Sequence, residues 1–208
     1  MKKKCVIISD LKSSRELSEW EKTFSDLQNL LAEINADFAK YMIVPLAPTI
    51  GDEFQGAVSR ADIAYDIYTR LGNRFSTDFY YGIGLGNIEK PFEGNIGMRG
   101  TAFYRAREAL EYCKKNKRRI FVRSADTPVM DDRILNTLLH FIEEIENSWT
   151  KRQSEIVRYY RLHPELTYEK LAKKFDVKKQ AIHKSAQGAK WNLLREGEVL
   201  VKEILRQR

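Results

Sequence analysis

Phe79-Tyr-Tyr-Gly-Ile-Gly-Leu-Gly86 has the aromatic and β-branched content of a buried strand, with glycines where the backbone needs room. Upstream of it, residues 61–71 repeat their apolar positions as a helix does, and residues 54–58 read as a strand. Ile50-Gly51-Asp52-Glu53 then falls at a hairpin, and residues 41–47 form its other arm. Pro45 and Pro48 point that arm to an edge or bulged position. Residues 17–40 carry Leu17, Trp20, Phe24, Leu27, Leu31, Ile34 and Phe38 at helical spacing. Residues 4–9 are a β-branched apolar run ending at Asp10. Downstream, residues 87–99 are loop-like, 101–115 helical, 119–122 a short strand and 133–146 an amphipathic helix. The order β-α-β-β-α-β-α-β predicts an α+β fold, a ferredoxin-like or palm-like mixed sheet with helices on one face.

Past Asn147-Ser148 the pattern becomes all helical, so the expected domains are residues 1–147 and 148–208. The second reads as an all-α helix-turn-helix domain. Thr167 suits an N-cap and Pro164 stops the preceding helix. Leu171, Phe175, Val177 and Ile182 are spaced to fill a small core, and Asp176 sits at a turn that favours a left-handed backbone. The following helix would present Lys178, Lys179, Gln180, His183, Lys184 and Gln187 to the major groove of double-stranded DNA. Lysines neutralise phosphate, and glutamine hydrogen-bonds base edges.

Charge supports that division. Residues 148–208 hold 15 Lys and Arg against 7 Asp and Glu, whereas the other 147 residues hold 21 against 22. The whole surplus of +7 therefore resides in the last 61 residues, where it would attract a polyanion. No apolar run is long enough for a membrane span, and Asp10 follows the N-terminal apolar run too closely for a secretory signal. The expected location is cytoplasmic. Cys5 and Cys113 have neither metal-ligand nor disulfide spacing and are expected to be reduced, partly buried thiols.

Asp10 ends the first strand, and Asp52 and Glu53 lie in the hairpin. If those strands are neighbours, Asp10 and Asp52 converge, and two such carboxylates can hold Mg²⁺ together with a nucleotide phosphate. Lys12, Gly51, Glu53, Arg99 and Arg107 are the expected nucleotide-binding residues, with Arg105 a further candidate phosphate clamp. Gly82, Gly84 and Gly86, with Gly94, Gly97 and Gly100, would let backbone approach a flat ring or a phosphate. A purely structural role is the competing reading. In it Asp10 and Asp52 cap local structure, with Lys12 or Arg107 as ion-pair partners.

Three resemblances accompany these motifs. Residues 149–194 resemble DNA-binding region 4 of bacterial sigma factors, with Thr150, Gln153, Ile156, Thr167, Tyr168, Glu169, Leu171 and Ala172 at the matching positions. The first 147 residues resemble the palm-type catalytic domain of class III nucleotide cyclases and diguanylate cyclases. The matches are Asp10, Asp52, the glycine-bearing strand 82–86 and Gly100 with Ala106-Arg107. That resemblance implies metal binding by Asp10 and Asp52. The chain departs from it at Tyr104, where a cyclase has asparagine, at Arg107, offset by one, and at Ile50, where diguanylate cyclases have glycine.

Nearly the whole chain resembles the SatD family of bacterial and archaeal proteins. The shared motifs are Ile-Ser-Asp-Leu-Lys-Ser-Ser-Arg, Gly-Asp-Glu-Phe-Gln-Gly, Tyr-Gly-Ile-Gly-Leu-Gly and Arg-Gly-Thr-Ala-Phe-Tyr-Arg-Ala-Arg-Glu-Ala. Three functional readings stand. One is a DNA-binding regulator whose palm-like part binds a metal-nucleotide or dimerises. The second is a metal-dependent nucleotidyl cyclase or transferase using Asp10 and Asp52. The third is a protein-binding scaffold. The apolar stripe with Val199, Leu200 and Ile204 would either cover the helix-turn-helix core or form a homodimer.

Overall fold

The computed structural model describes residues 3–12, 19–49, 51–75, 78–89 and 99–208. Leu17, Ile50, Gly94 and Gly97, each given a place above, lie outside the described residues. The strands are β1 (Lys4–Leu11), β2 (Met42–Pro48), β3 (Glu53–Val58), β4 (Phe79–Gly86) and β5 (Ile120–Arg123). They form one sheet in the order β2-β3-β1-β4-β5. Strand β1 is antiparallel to both β3 and β4, and β4 is parallel to β5, so the sheet is mixed as expected. The proline-bearing β2 is an edge strand with irregular register. Helices α1 (Trp20–Asp37), α2 (Ala61–Arg74), α3 (Thr101–Asn116) and α4 (Met130–Asn147) complete this part.

The expectation of helices on one face is corrected. Val6 and Ile8 pack with Ala102, Phe103, Ala106 and Leu110 of α3. Cys5 and Ile7, which point the other way, pack in a cluster with α1, α2 and α4. Helices therefore cover both faces. The unbroken run Cys5-Val-Ile-Ile8 is the pattern of a strand buried on both sides, and all four residues are at most 2% exposed. The cysteines are free and buried. Burial raises both thiols, Cys113 to about 12.

The strand glycines serve this packing rather than a ring or phosphate. A Cβ on Gly82 would lie 2.4 Å from the Ala106 carbonyl oxygen, and one on Gly84 would lie 2.1 Å from that of Ala102. Helix α3 therefore rests on β4 backbone to backbone, with the alanines Ala102 and Ala106 at the contact.

On the far edge, α4 satisfies the outward polar groups of β5 and its flanks. Asn136 accepts from the Val122 N–H and donates to its carbonyl, both at 2.8 Å. Asp132 accepts from the Ser124 N–H at 2.7 Å, and Glu143 accepts from the Arg119 N–H at 2.7 Å.

Four helices follow: α5 (Lys151–Leu162), α6 (Tyr168–Lys174), α7 (Lys179–Gly188) and α8 (Trp191–Arg206). Thr150 and Gln153 form a reciprocal capping box on α5, and the Thr167 side chain caps α6. Asp176, between α6 and α7, has φ +50°, a left-handed conformation that Asp tolerates better than most residues. Ile156, Leu171, Ala172 and Ile182 form a small cluster, with Phe175 and Val177 packed against it. The rest of these helices join the main core. Val157, Ala186, Ala189, Trp191, Leu194, Val201 and Leu205 lie in the same cluster as Ile7 and Ile83 of the sheet. Apolar packing thus runs continuously across residue 148. The last helix meets α2 and α4, and leaves Leu193, Val199 and Leu200 exposed. Among the described residues, no helix is long and apolar enough to cross a membrane.

Candidate functional site

Strand register builds the carboxylate site. Asp10 on β1 lies directly opposite Glu53 on β3. Alternation puts Asp10 on the face of Val6 and Ile8, and Glu53 on the face of Ala57, which is the α3 face. Asp52 occupies the turn before β3, where its carbonyl accepts from the Leu11 N–H at 3.4 Å. Gly51 provides the positive φ of that turn, +67°.

Two cations two helical turns apart on α3 reach down to this corner. Arg107 forks onto both oxygens of Glu53, with Nη2 to Oε1 at 2.7 Å. Lys114 pairs with Asp10. The carboxylates are mostly covered, Asp10 at 15% and Glu53 at 16% side-chain exposure. Burial, with the negative charges of Asp52 and Glu53, holds the Asp10 carboxyl above its usual range, although Lys114 opposes this. Burial works against the Lys114 ammonium, but its hydrogen bond to Asp10 and the surrounding acids raise its pKa. The bond to Glu53 likewise raises Arg107.

The expected convergence of Asp10 and Asp52 is therefore present, and Gly51 and Glu53 share the corner. The expected ion pairs are corrected. Lys114, not Lys12, partners Asp10, and Arg107 partners Glu53. Lys12 lies over the Tyr80 ring at 4.9 Å, and its N–H donates to the Asp78 carbonyl. Burial lowers its pKa. Arg99 is not brought to the site. It bridges Glu89, beyond the Gly86 end of β4. The Asp10–Tyr80 and Lys4–Gly86 pairs are six residues apart, about 20 Å of strand. Arg105 is also turned away, donating to the Leu85 carbonyl at 2.7 Å and to Asp126 at 2.9 Å.

Among the described residues, no group of three or more His, Cys, Asp or Glu is arranged to hold a metal unaided. Mg²⁺ does not require one, since it is commonly held by one or two carboxylates completed by water and phosphate oxygens. Asp10 and Asp52 fit that donor set, and Arg107 and Lys114 fit phosphate oxygens.

The second candidate is the open face of α7. Lys178, Lys179, Gln180, His183, Lys184 and Gln187 are all exposed, while Ile182 and Ala186 on the opposite face are buried. Lys179 pairs with Glu169 of α6, both more than half exposed.

The SatD family model matches residues 4–197. The chain belongs to the SatD family. The match includes both the sheet and the C-terminal helices as far as the middle of α8. No curated protein sequence matches the chain. Similar solved structures include a bacterial light-regulated adenylyl cyclase, at 12% identity and TM-score 0.41, covering 55% of this SatD-family chain and 71% of that one. The catalytic core of a rhodopsin-guanylyl cyclase gives 18% identity and TM-score 0.39, covering 53% and 72%. The adenylyl cyclase CyaB from P. aeruginosa gives 14% and 0.33, covering 54% and 72%.

Proposed function

We propose that this SatD-family chain binds a divalent metal–nucleotide at the corner between β1, β3 and α3, as a metal-dependent nucleotidyl cyclase or transferase would. The observation that carries the reading is the meeting of Asp10, Asp52 and Glu53 with Arg107 and Lys114 from one helix. Asp10 and Asp52 would hold Mg²⁺. Bound there, the ion would neutralise phosphate charge and polarise a phosphoryl oxygen. Arg107 and Lys114 would exchange a carboxylate partner for phosphate oxygens, Arg107 as a two-pronged donor and Lys114 as a point charge.

The test is calorimetric titration with ATP and GTP, with and without Mg²⁺, followed by product analysis. Metal-dependent binding should weaken at least tenfold in Asp10→Asn and in Lys114→Met. Equal affinity with and without metal, in folded protein, would remove the reading.

A second reading has its own observation, the exposure of the expected recognition residues of α7 beside a left-handed Asp176 turn. In it, α6 and α7 act as a helix-turn-helix on double-stranded DNA, and two copies paired through the exposed Leu193, Val199 and Leu200 would present two α7 helices to successive major grooves. Gel-shift titration of mixed-sequence duplex DNA should show affinity falling steeply with salt. The double variant Lys178→Ala, Lys184→Ala should bind several-fold more weakly, with a shallower salt slope. Binding unchanged by that variant would exclude α7 as the contact.

A further inference from the structure

Along α4, Arg133, Thr137 and His140 recur at steps of four and three, so they share one face of the helix, and all three are exposed. They line a cavity of about 420 Å³ together with Tyr112 of α3 and Phe121 of β5. The cavity lies at the β5 margin, with β4 between it and the strand that carries Asp10. Tyr112 and Lys114 are two residues apart, so they leave α3 on nearly opposite sides. The cavity is therefore separate from the carboxylate corner.

One part of its wall is aromatic. The Tyr112 and Phe121 rings lie 4.0 Å apart between centroids, inclined by 31°. Tyr112 is 41% exposed, so the pair is left open to an occupant. A further flat ring can extend such a stack.

The other part is cationic. Arg118, Arg123 and Arg133 line the cavity against a single carboxylate, Asp132. Asp132 is buried, and its oxygens are taken by Ser124 and Arg208. Arg118 is paired with Glu143 at 2.9 Å and Arg123 with Glu108 at 3.0 Å. Arg133 differs from both. Among the described residues its guanidinium has no ion-pair or hydrogen-bond partner. A free fork of N–H donors thus faces the cavity, in a field that its arginine neighbours make more positive.

These two features restrict the occupant. An apolar molecule would strip water from Arg133 and return nothing. A bare anion would meet Arg133 and leave the rings wet. A flat ring that carries a carboxylate or a phosphate answers both needs, and the volume is that of a small-molecule site. We propose that this cavity binds a small aromatic anion. Its ring stacks on the Tyr112–Phe121 pair, and its acidic group takes the two-pronged bond of Arg133. Thr137 and His140, next along the stripe, hydrogen-bond the ring's polar substituents.

The experiment is calorimetric titration of the full chain in EDTA, so that no metal engages the carboxylate corner. AMP and GMP are the ring phosphates, and indole-3-acetate and 4-hydroxybenzoate the ring carboxylates. Adenosine, guanosine, indole, phenol, phosphate and acetate are the half-molecules. At least one whole probe should bind about tenfold more tightly than either of its halves. A phosphate or a carboxylate as the tightest probe upholds the proposal in either case and names the source of the anion. Arg133→Gln and Tyr112→Ala should each weaken that binding about tenfold, the first by losing a charged hydrogen bond and the second by losing a stacking surface. Tyr112→Phe, which keeps the ring, should retain it. Arg133→Gln should leave the melting temperature of the unliganded protein unchanged, as that side chain is exposed and unpaired. The proposal is overturned by a flat response to all four probes, by a half-molecule that binds as tightly as the whole, or by affinity that survives both Arg133→Gln and Tyr112→Ala.

Discussion

Gly84→Ala should destabilise the protein by about 3 kcal/mol or more, at the upper end of the usual cost of overpacking. The added methyl would meet the Ala102 carbonyl oxygen at 2.1 Å and the Ala106 nitrogen at 2.2 Å. Both are backbone atoms of α3, so no rotamer change relieves the clash, and the helix itself must move off β4. In thermal denaturation the loss should appear as a fall in Tm of roughly 6–12 °C for a chain of this size. Gly72→Ala is the matched control. That glycine lies inside α2 with nothing within 4 Å of an added Cβ. Alanine there should stabilise the helix by roughly 0.5–1 kcal/mol. Equal melting temperatures for the two variants would mean that α3 does not sit on the glycines. The first variant should also weaken metal–nucleotide binding, because α3 carries Arg107 and Lys114.

Arg161→Met should cost about 3–5 kcal/mol, the usual effect of removing one partner from a buried ion pair. The guanidinium is paired with Glu146 at 2.5 Å and with Glu198 at 2.7 Å. Its loss leaves two glutamates facing one another in a poorly solvated place. In the native protein, burial, with the Glu146 charge, already raises Glu198 above the usual carboxylate range although Arg161 opposes this. A carboxyl raised on folding favours the fold when protonated. That contribution is complete below the unfolded pKa and is lost as pH rises through the folded one. Removing Arg161 enlarges the shift, so the variant should recover stability toward mildly acidic pH and lose it toward pH 8. The native protein should change less across the same window. A variant whose Tm deficit is constant with pH would show that the two glutamates are solvated rather than confined.

Much of the fold was legible because local and global signals agree. The hairpin around Gly51, the edge position of the proline-bearing β2, the Thr167 cap and the left-handed Asp176 all follow from the preferences of single residues. The convergence of Asp10 and Asp52 was legible too, as it needs only β1 and β3 to be neighbours. What escaped was non-local. The run Cys5-Val-Ile-Ile8 carried the signature of a strand covered on both sides, but nothing in it says which helix lies on which face. The β4 glycines signalled a close approach without naming the approaching group. Only the repeat of Ala102 and Ala106, one helical turn apart, matches the Gly82 and Gly84 step along one strand face.

Lys114 was missed as a site residue because it begins a run of cations at a helix end, where solvated charge is the ordinary reading. Its spacing of seven from Arg107 was the available clue. Arg161 was missed for the opposite reason. It lies in the most basic part of the chain, yet α2 and α8 close over it.

One consequence concerns how copies of this protein can meet. The outward hydrogen-bonding groups beside β5 are taken up by Asn136, Asp132 and Glu143. At the opposite margin, Pro45 and Pro48 interrupt β2, which is also irregular in register. A foreign strand therefore finds no template on either side, which guards a chain with so apolar a central strand against runaway stacking. Association between molecules is left to their helical surfaces, where contacts can form and part without recruiting the sheet.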